Sequence, residues 1–200
     1  MKTLKQFLER LARFLGLSIT ETSDPLISLA QKIETRATLE TVSLAESQKQ
    51  ILKEISTHAR DSLSQPAGET MVLFAGVNGT GKTIAAEVIA GSLKRDLYRV
   101  DLSKIVSKYI GETEKNLNRL FNAAESAGAI LFFDEAEALF GKRSEVKDAH
   151  DRYANLEISY LLQRLESFNG IAILAINHVE DPPERFRRRI RFIVDFPPPK

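Results

Sequence analysis

One short segment combines glycines with a lysine and a threonine at a spacing suited to phosphate binding. It matches the pattern G-x-x-x-x-G-K-[ST] and consists of Gly76, Val77, Asn78, Gly79, Thr80, Gly81, Lys82 and Thr83. Glycines let successive backbone N–H groups turn toward one point and let a phosphate approach without meeting a Cβ atom. In such a loop the lysine reaches the β and γ phosphates of a nucleotide, and the threonine hydroxyl binds Mg²⁺.

The residues on either side of this loop favour phosphate binding over an ordinary glycine-rich turn. The apolar run 71–75 predicts a buried parallel strand, and the pattern of 82–93 predicts an amphipathic helix. The order strand, glycine loop, helix brings the positive end of a helix dipole to the loop. The sequence therefore predicts a nucleotide-binding loop.

A pair of carboxylates follows the next fully apolar run. Residues 129–133 predict a second buried strand, and Asp134 and Glu135 come directly after it. Ligands of α/β sheets bind at the carboxyl ends of the strands. Asp134 is suited to hold Mg²⁺ through water, because Mg²⁺ keeps several waters; Glu135 is suited to orient and deprotonate an attacking water. An apolar run ending in two solvated acids is the alternative, and the glycine loop favours the catalytic interpretation.

A third apolar run, 171–176, ends in Asn177. An asparagine after a strand is usually a turn residue. Here it falls at the same predicted sheet edge as Asp134, where its amide could hydrogen-bond the γ phosphate or the attacking water.

Composition limits the classes of function. The chain has 200 residues, 43% hydrophobic and 28% charged, which suits one globular domain with an added segment. A net charge of +1 gives no general attraction to nucleic acid or anionic membranes. The absence of cysteine excludes disulfides and thiolate metal sites and fits a cytoplasmic location. No apolar run approaches the length of a membrane span.

The pattern along the chain predicts a helical segment followed by an α/β domain. Residues 1–65 read as wholly helical: a first helix ends at Gly16, a second begins at Asp24-Pro25, and a lead-in helix begins at Ser43. Domain 66–200 alternates strands and helices, which predicts a parallel sheet covered on both faces. The further elements are helices at 114–127 and 153–168 and strands at 97–101 and 191–195.

Together these motifs resemble the AAA ATPases, ring-forming motors within the AAA+ group of P-loop NTPases. GVNGTGKT is similar to the Walker A motif of that family, ILFFDEAEALFGKR to its Walker B motif, and ILAIN to its strand with a sensor asparagine. The resemblance implies ATP and Mg²⁺ as cofactors and a five-stranded parallel sheet in the order 5-1-4-3-2. It also implies ATP hydrolysis by a ring that remodels or translocates a protein partner.

Two further assignments follow only from the resemblance. Tyr109 and Ile110 match the pore loop with which such rings grip a polypeptide; without the family, Tyr109 would be a hydrophobic anchor. Arg188 and Arg191 match the arginine fingers that reach the γ phosphate of a neighbouring subunit. The alternative for these arginines is a nucleic-acid patch, which the surrounding acidic residues disfavour.

The resemblance also leads to expectations about assembly. The family continues after its fifth strand into a small helical lid, whereas this sequence stops at Lys200, so we expect a member that lacks the lid. Prokaryotic members of the family resemble this sequence most, so we also expect a prokaryotic member. We expect a hexamer if a lid is present and a monomer if it is not. The alternatives to a protein-remodelling ATPase are an ATP-dependent interaction module with negligible turnover and a nucleic-acid motor.

Overall fold

The computed structural model describes residues 26, 29–62, 70–102, 112–139, 149–177 and 187–198. The predicted first helix and the pore-loop residues Tyr109 and Ile110 lie outside these ranges. In the described part of the chain, none of the helices is both long and apolar enough to cross a membrane.

Strands and helices alternate from Thr70 to Ile176. The strands are β1 (Ala30–Ile33), β2 (Thr70–Ala75), β3 (Leu97–Val100), β4 (Ile130–Phe133), β5 (Ile171–Ile176) and β6 (Ile190–Asp195). The α-helices are α1 (Glu46–Ser62), α2 (Lys82–Leu93), α3 (Glu112–Ala127) and α4 (Ala149–Glu166). A short 3-10 helix covers Ala136–Leu139. The observed bounds of α2 and β5 are those that the sequence predicts.

The strands form one mixed sheet in the order β1-β3-β4-β5-β2-β6. All neighbouring strands are parallel except β1, which pairs antiparallel with β3. The prediction of a five-stranded, wholly parallel sheet is therefore wrong in the number of strands, whereas the five parallel strands β2 to β6, numbered 1 to 5, lie in the predicted order 5-1-4-3-2. The sheet that the structure describes has six strands, and the difference lies at one edge, where β1 is added beyond β3.

The added strand also corrects the prediction that residues 1–65 are wholly helical. The predicted helix that begins at Asp24-Pro25 would include Ala30 and Ile33, but these residues are the ends of β1, and Ala30 lies opposite Val100 of β3. Without β1, the backbone groups of β3 would form an exposed sheet edge, and pairing satisfies them. This pairing outweighs the weak helical preference of a four-residue stretch.

Helices cover both faces of the sheet, as expected for a largely parallel one. Alternate residues of β2 enter opposite cores: Leu73 packs with α3 and α4, while Phe74 packs with α1 and α2. Helix α1 is tied to the end of β6, because the side-chain amide of Gln48 donates to the carbonyl of Asp195 over 2.9 Å. The two cores thus hold the carboxyl ends of β2, β4 and β5 at one edge.

Candidate nucleotide-binding site

The loop between β2 and α2 begins at a position that only glycine can occupy. Gly76 has φ +154°, and a Cβ atom there would collide with the backbone carbonyl of Phe196. The same junction is held by the Gly76 N–H, which donates to the carbonyl of Ile176 over 3.0 Å, and by the Phe196 N–H, which donates to Ala75 over 2.6 Å. The start of the loop is therefore packed between the ends of β5 and β6.

Farther along, the loop is open to its surroundings. Gly79 (φ +82°) and Gly81 (φ +101°) have left-handed backbones, and a Cβ atom at Gly79 would meet nothing within 4 Å. Gly81 precedes α2 without a side-chain cap, and the first turn of α2 carries no acidic residue. The first N–H groups of a helix have no partner inside the helix, so this end of α2 is suited to an anion.

Lys82 lies inside the loop with 6% of its surface exposed. Its Nζ donates to the carbonyl of Gly76, to that of Val77 over 3.1 Å and to Oδ1 of Asn177 over 3.4 Å. Burial lowers the pKa of Lys82 below its ordinary value, and the carboxylates of Asp134 and Glu137 partly offset this lowering. The lysine is thus the positive centre of a site that contains the loop and the ends of two further strands.

Both carboxylate oxygens of Asp134 accept hydrogen bonds. Oδ2 accepts from Nη2 of Arg99 over 2.6 Å, and Oδ1 accepts from the backbone N–H of Glu135 over 3.1 Å. Arg99 lies on β3, the strand next to β4. Arg99 belongs to none of the predicted motifs, and its signal in the sequence is a charged residue between the apolar residues Tyr98 and Val100. Because both oxygens are engaged, Asp134 is suited to bind a metal ion through water.

Glu135 is exposed and has a left-handed backbone with φ +53°. For a residue with a Cβ atom this conformation costs about 1–2 kcal/mol. Such strain is concentrated at functional sites, where the surrounding structure holds it in place. The left-handed turn after β4 therefore gives the side chain of Glu135 a different direction from that of Asp134.

Asn177 contacts a carboxylate that is not among the predicted site residues. Its Nδ2 donates to Oε1 of Glu137 over 2.6 Å, and Glu137 lies in the 3-10 helix after β4. Asn177 therefore connects Lys82 to Glu137.

The two predicted finger arginines lie away from the loop of their own chain. Arg188 and Arg191 are exposed, and Arg191 is near the start of β6, between residues paired with Met71 and Val72. The loop follows Ala75, which pairs with Asp195 at the other end of β6. Four residues of strand span about 13 Å, so Arg191 lies at the opposite end of the sheet.

Comparison with known proteins shows the class to which this fold and site belong. Residues 72–198 match the model of the ATPase family associated with various cellular activities (AAA). The chain belongs to the AAA family of ATPases.

Relatives with similar sequences include proteins that are named for the proteasome. The chain is 36% identical over 130 residues to the proteasome-activating nucleotidase of Aeropyrum pernix, a match covering 60% of this chain and 32% of that protein. It is 34% identical over 142 residues to the 26S proteasome regulatory subunit 10B homolog A of Arabidopsis thaliana, covering 66% of this chain and 35% of that protein. It thus spans about a third of the length of these relatives.

Two further proteins are similar to this chain, one from an archaeon and one in a solved complex. The Cell division cycle protein 48 homolog of Archaeoglobus fulgidus is 31% identical over 147 residues, covering 70% of this chain and 20% of that protein. A chain in the E. coli MS115-1 HORMA:CdnC:Trip13 complex has a TM-score of 0.62 at 19% identity, covering 88% of this chain and 72% of that one. The second similarity concerns the fold alone.

Proposed function

We propose that this chain binds ATP with Mg²⁺ and hydrolyses the ATP, as the nucleotide-binding domain of a ring assembly that remodels or translocates a protein partner. The observation that carries the proposal is the buried ammonium of Lys82. It is bonded to the glycine loop and to Asn177 at the sheet edge where Asp134 and Glu135 also lie. This arrangement unites phosphate binding and water activation at one site.

The residues present fit a nucleoside triphosphate and its metal ion. The open backbone at Gly79 and the uncapped start of α2 suit the phosphates, and Lys82 supplies positive charge to the β and γ phosphates. Residues 76–83 form this cradle. Thr83, half-buried in the first turn of α2, and Asp134, through water, are the groups that would hold Mg²⁺. The ion, when bound, neutralises charge that develops on the phosphate oxygens.

In the proposed reaction Glu135 accepts a proton from the attacking water. The water oxygen forms a bond to the γ phosphorus while the bond to the β–γ bridging oxygen breaks, which yields ADP and inorganic phosphate. Glu135 is exposed and so is accessible to water, whereas both oxygens of Asp134 are engaged. This difference supports separate roles for the two carboxylates.

Assembly and the nature of the partner are also part of the proposal. Arg188 and Arg191 lie at the sheet end opposite the loop, which supports a role at the phosphates of a neighbouring copy. A guanidinium supplied in this way raises hydrolysis rates by about 10³- to 10⁵-fold in related reactions. The names of the proteasomal relatives support a protein as the partner. In this proposal Tyr109 and Ile110 grip that protein.

An ATPase assay across protein concentration, with and without Mg²⁺, tests the proposal. We expect Mg²⁺-dependent phosphate release whose rate per chain rises with concentration, because neighbouring copies complete each site. ATP binding in calorimetry without measurable release at any concentration would instead identify an ATP-dependent interaction module. Absence of ATP binding would overturn the proposal.

A further inference from the structure

A line of three polar side chains crosses the end of β5 beside the glycine loop. Nζ of Lys82 donates to Oδ1 of Asn177 over 3.4 Å, and Nδ2 of Asn177 donates to Oε1 of Glu137 over 2.6 Å. Each bond has one ionised partner and is stronger than a bond between neutral groups, and the second bond is much the shorter. Glu137 is therefore the stronger of the two contacts that hold Asn177.

The chemistry of the two neighbours allows the Asn177 amide only one orientation. An ammonium has donors and no acceptor, so Lys82 must face the amide oxygen. An ionised carboxylate has acceptors only, so Glu137 must face the amide nitrogen. Turning the amide by half a rotation would place its NH₂ group against the ammonium and its oxygen against the carboxylate. Both contacts would then be repulsive, and both neighbours thus select the same orientation.

The position of Glu137 is unfavourable for a residue with only a packing role. Its Oε2 is buried and finds no hydrogen-bond donor among the described residues. A buried polar atom without a partner costs free energy, and such a group in a folded protein calls for an explanation. The hydrogen bond to Asn177 explains the buried position of Glu137, because the carboxylate must reach into this part of the site to form that bond.

We propose that Glu137 is a positioning residue that holds Asn177 with its amide oxygen facing the phosphate loop. An amide oxygen has two lone pairs, so Asn177 can accept from Lys82 and from one further donor. An attacking water is such a donor, whereas a γ phosphate oxygen is not. Asn177 thus orients the attacking water through its amide oxygen, an inference that rests on the proposed ATPase function.

Exchanging the two side-chain types tests this orientation. Asn177→Asp alone places a carboxylate against Glu137, and we expect kcat to fall by about 100-fold. Glu137→Gln alone weakens the contact and should lower kcat by about tenfold. In the double variant the amide at 137 donates to the carboxylate at 177, and an oxygen still faces Lys82. We therefore expect kcat at least about tenfold above that of Asn177→Asp. A double variant no more active than Asn177→Asp would overturn the proposal.

A measurement without nucleotide separates this inference from the proposed function. In ¹⁵N NMR spectra of the whole chain, the side-chain amide of Asn177 is identified by its loss in Asn177→Asp. We expect one of its protons to be shifted downfield and slow to exchange, and we expect Glu137→Gln to diminish both properties. Glu125→Gln is the matched control, since Glu125 accepts from the backbone N–H of Asn169 over 3.1 Å, elsewhere in the fold. This control should leave the Asn177 signals and ATP hydrolysis unchanged.

The NMR outcome decides the positioning role even if the wild-type chain fails to hydrolyse ATP. Signals of the Asn177 amide that are the same in Glu137→Gln and in the wild type would contradict it. Melting temperatures of all variants identify any loss of fold.

Discussion

Lys82 is the residue on which the proposed phosphate site depends most. It is buried against backbone carbonyls at a lowered pKa, so its charge is held where water does little to screen it. Lys82→Ala removes that charge, and a hydrogen bond between charged groups is worth about 1.5–3 kcal/mol. We expect ATP affinity to fall by about 10- to 100-fold or more in calorimetric titration. Lys53→Ala, at an exposed position of α1, is the control and should bind as the wild type does.

The residues that sequence reasoning could and could not find differ in how their roles are encoded. The loop 76–83 and the acids after β4 carry local patterns, so the sequence alone predicts their places. Arg99 and Glu137 act through contacts with Asp134 and Asn177, which are 35 and 40 residues away in the chain. No local pattern specifies such pairs, because they depend on which strands become neighbours. The roles of all these residues stay predictions until they are tested.

Among the structural elements, the junction of β2, β6 and the loop predicts different costs for alanine at two glycines. Gly76→Ala forces a Cβ atom into the carbonyl of Phe196, whereas Gly79→Ala meets open space and strains only the backbone. We expect Gly76→Ala to destabilise the fold by about 3 kcal/mol and Gly79→Ala by about 1 kcal/mol. Urea unfolding measures both. Equal losses would mean that the ends of β2 and β6 do not pack as described.

Local signals also explain which elements were predicted well. Helix α2 begins after Gly81 and ends before Lys94, both in left-handed conformations, so its bounds follow from its caps. Strand β1 has no comparable signal. Its apolar positions, Ala30 and Ile33, suit a helix as well as a strand, and only the free edge of β3 decides between them.

In the whole molecule, the positions of Arg188 and Arg191 predict that neighbouring copies complete each other's nucleotide sites. Arg188→Ala lacks the proposed finger but keeps Glu135. Glu135→Gln lacks the catalytic carboxylate but keeps Arg188. Each variant alone should be nearly inactive. Mixed at high concentration, they should regain part of the wild-type rate, because the intact Arg188 of one copy can serve the intact Glu135 of another. A mixture no more active than its separate components would contradict action between copies.

The proposed function requires that this sheet edge binds ATP and that Glu135 activates water there. The most direct test compares ATP binding and phosphate release in the wild type and in Glu135→Gln under the same conditions. Because the loop, Lys82 and Asp134 are unchanged, we expect the variant to keep its ATP affinity while its turnover falls by about 10²- to 10⁴-fold. Phosphate release at the wild-type rate by Glu135→Gln would show that Glu135 does not activate the attacking water.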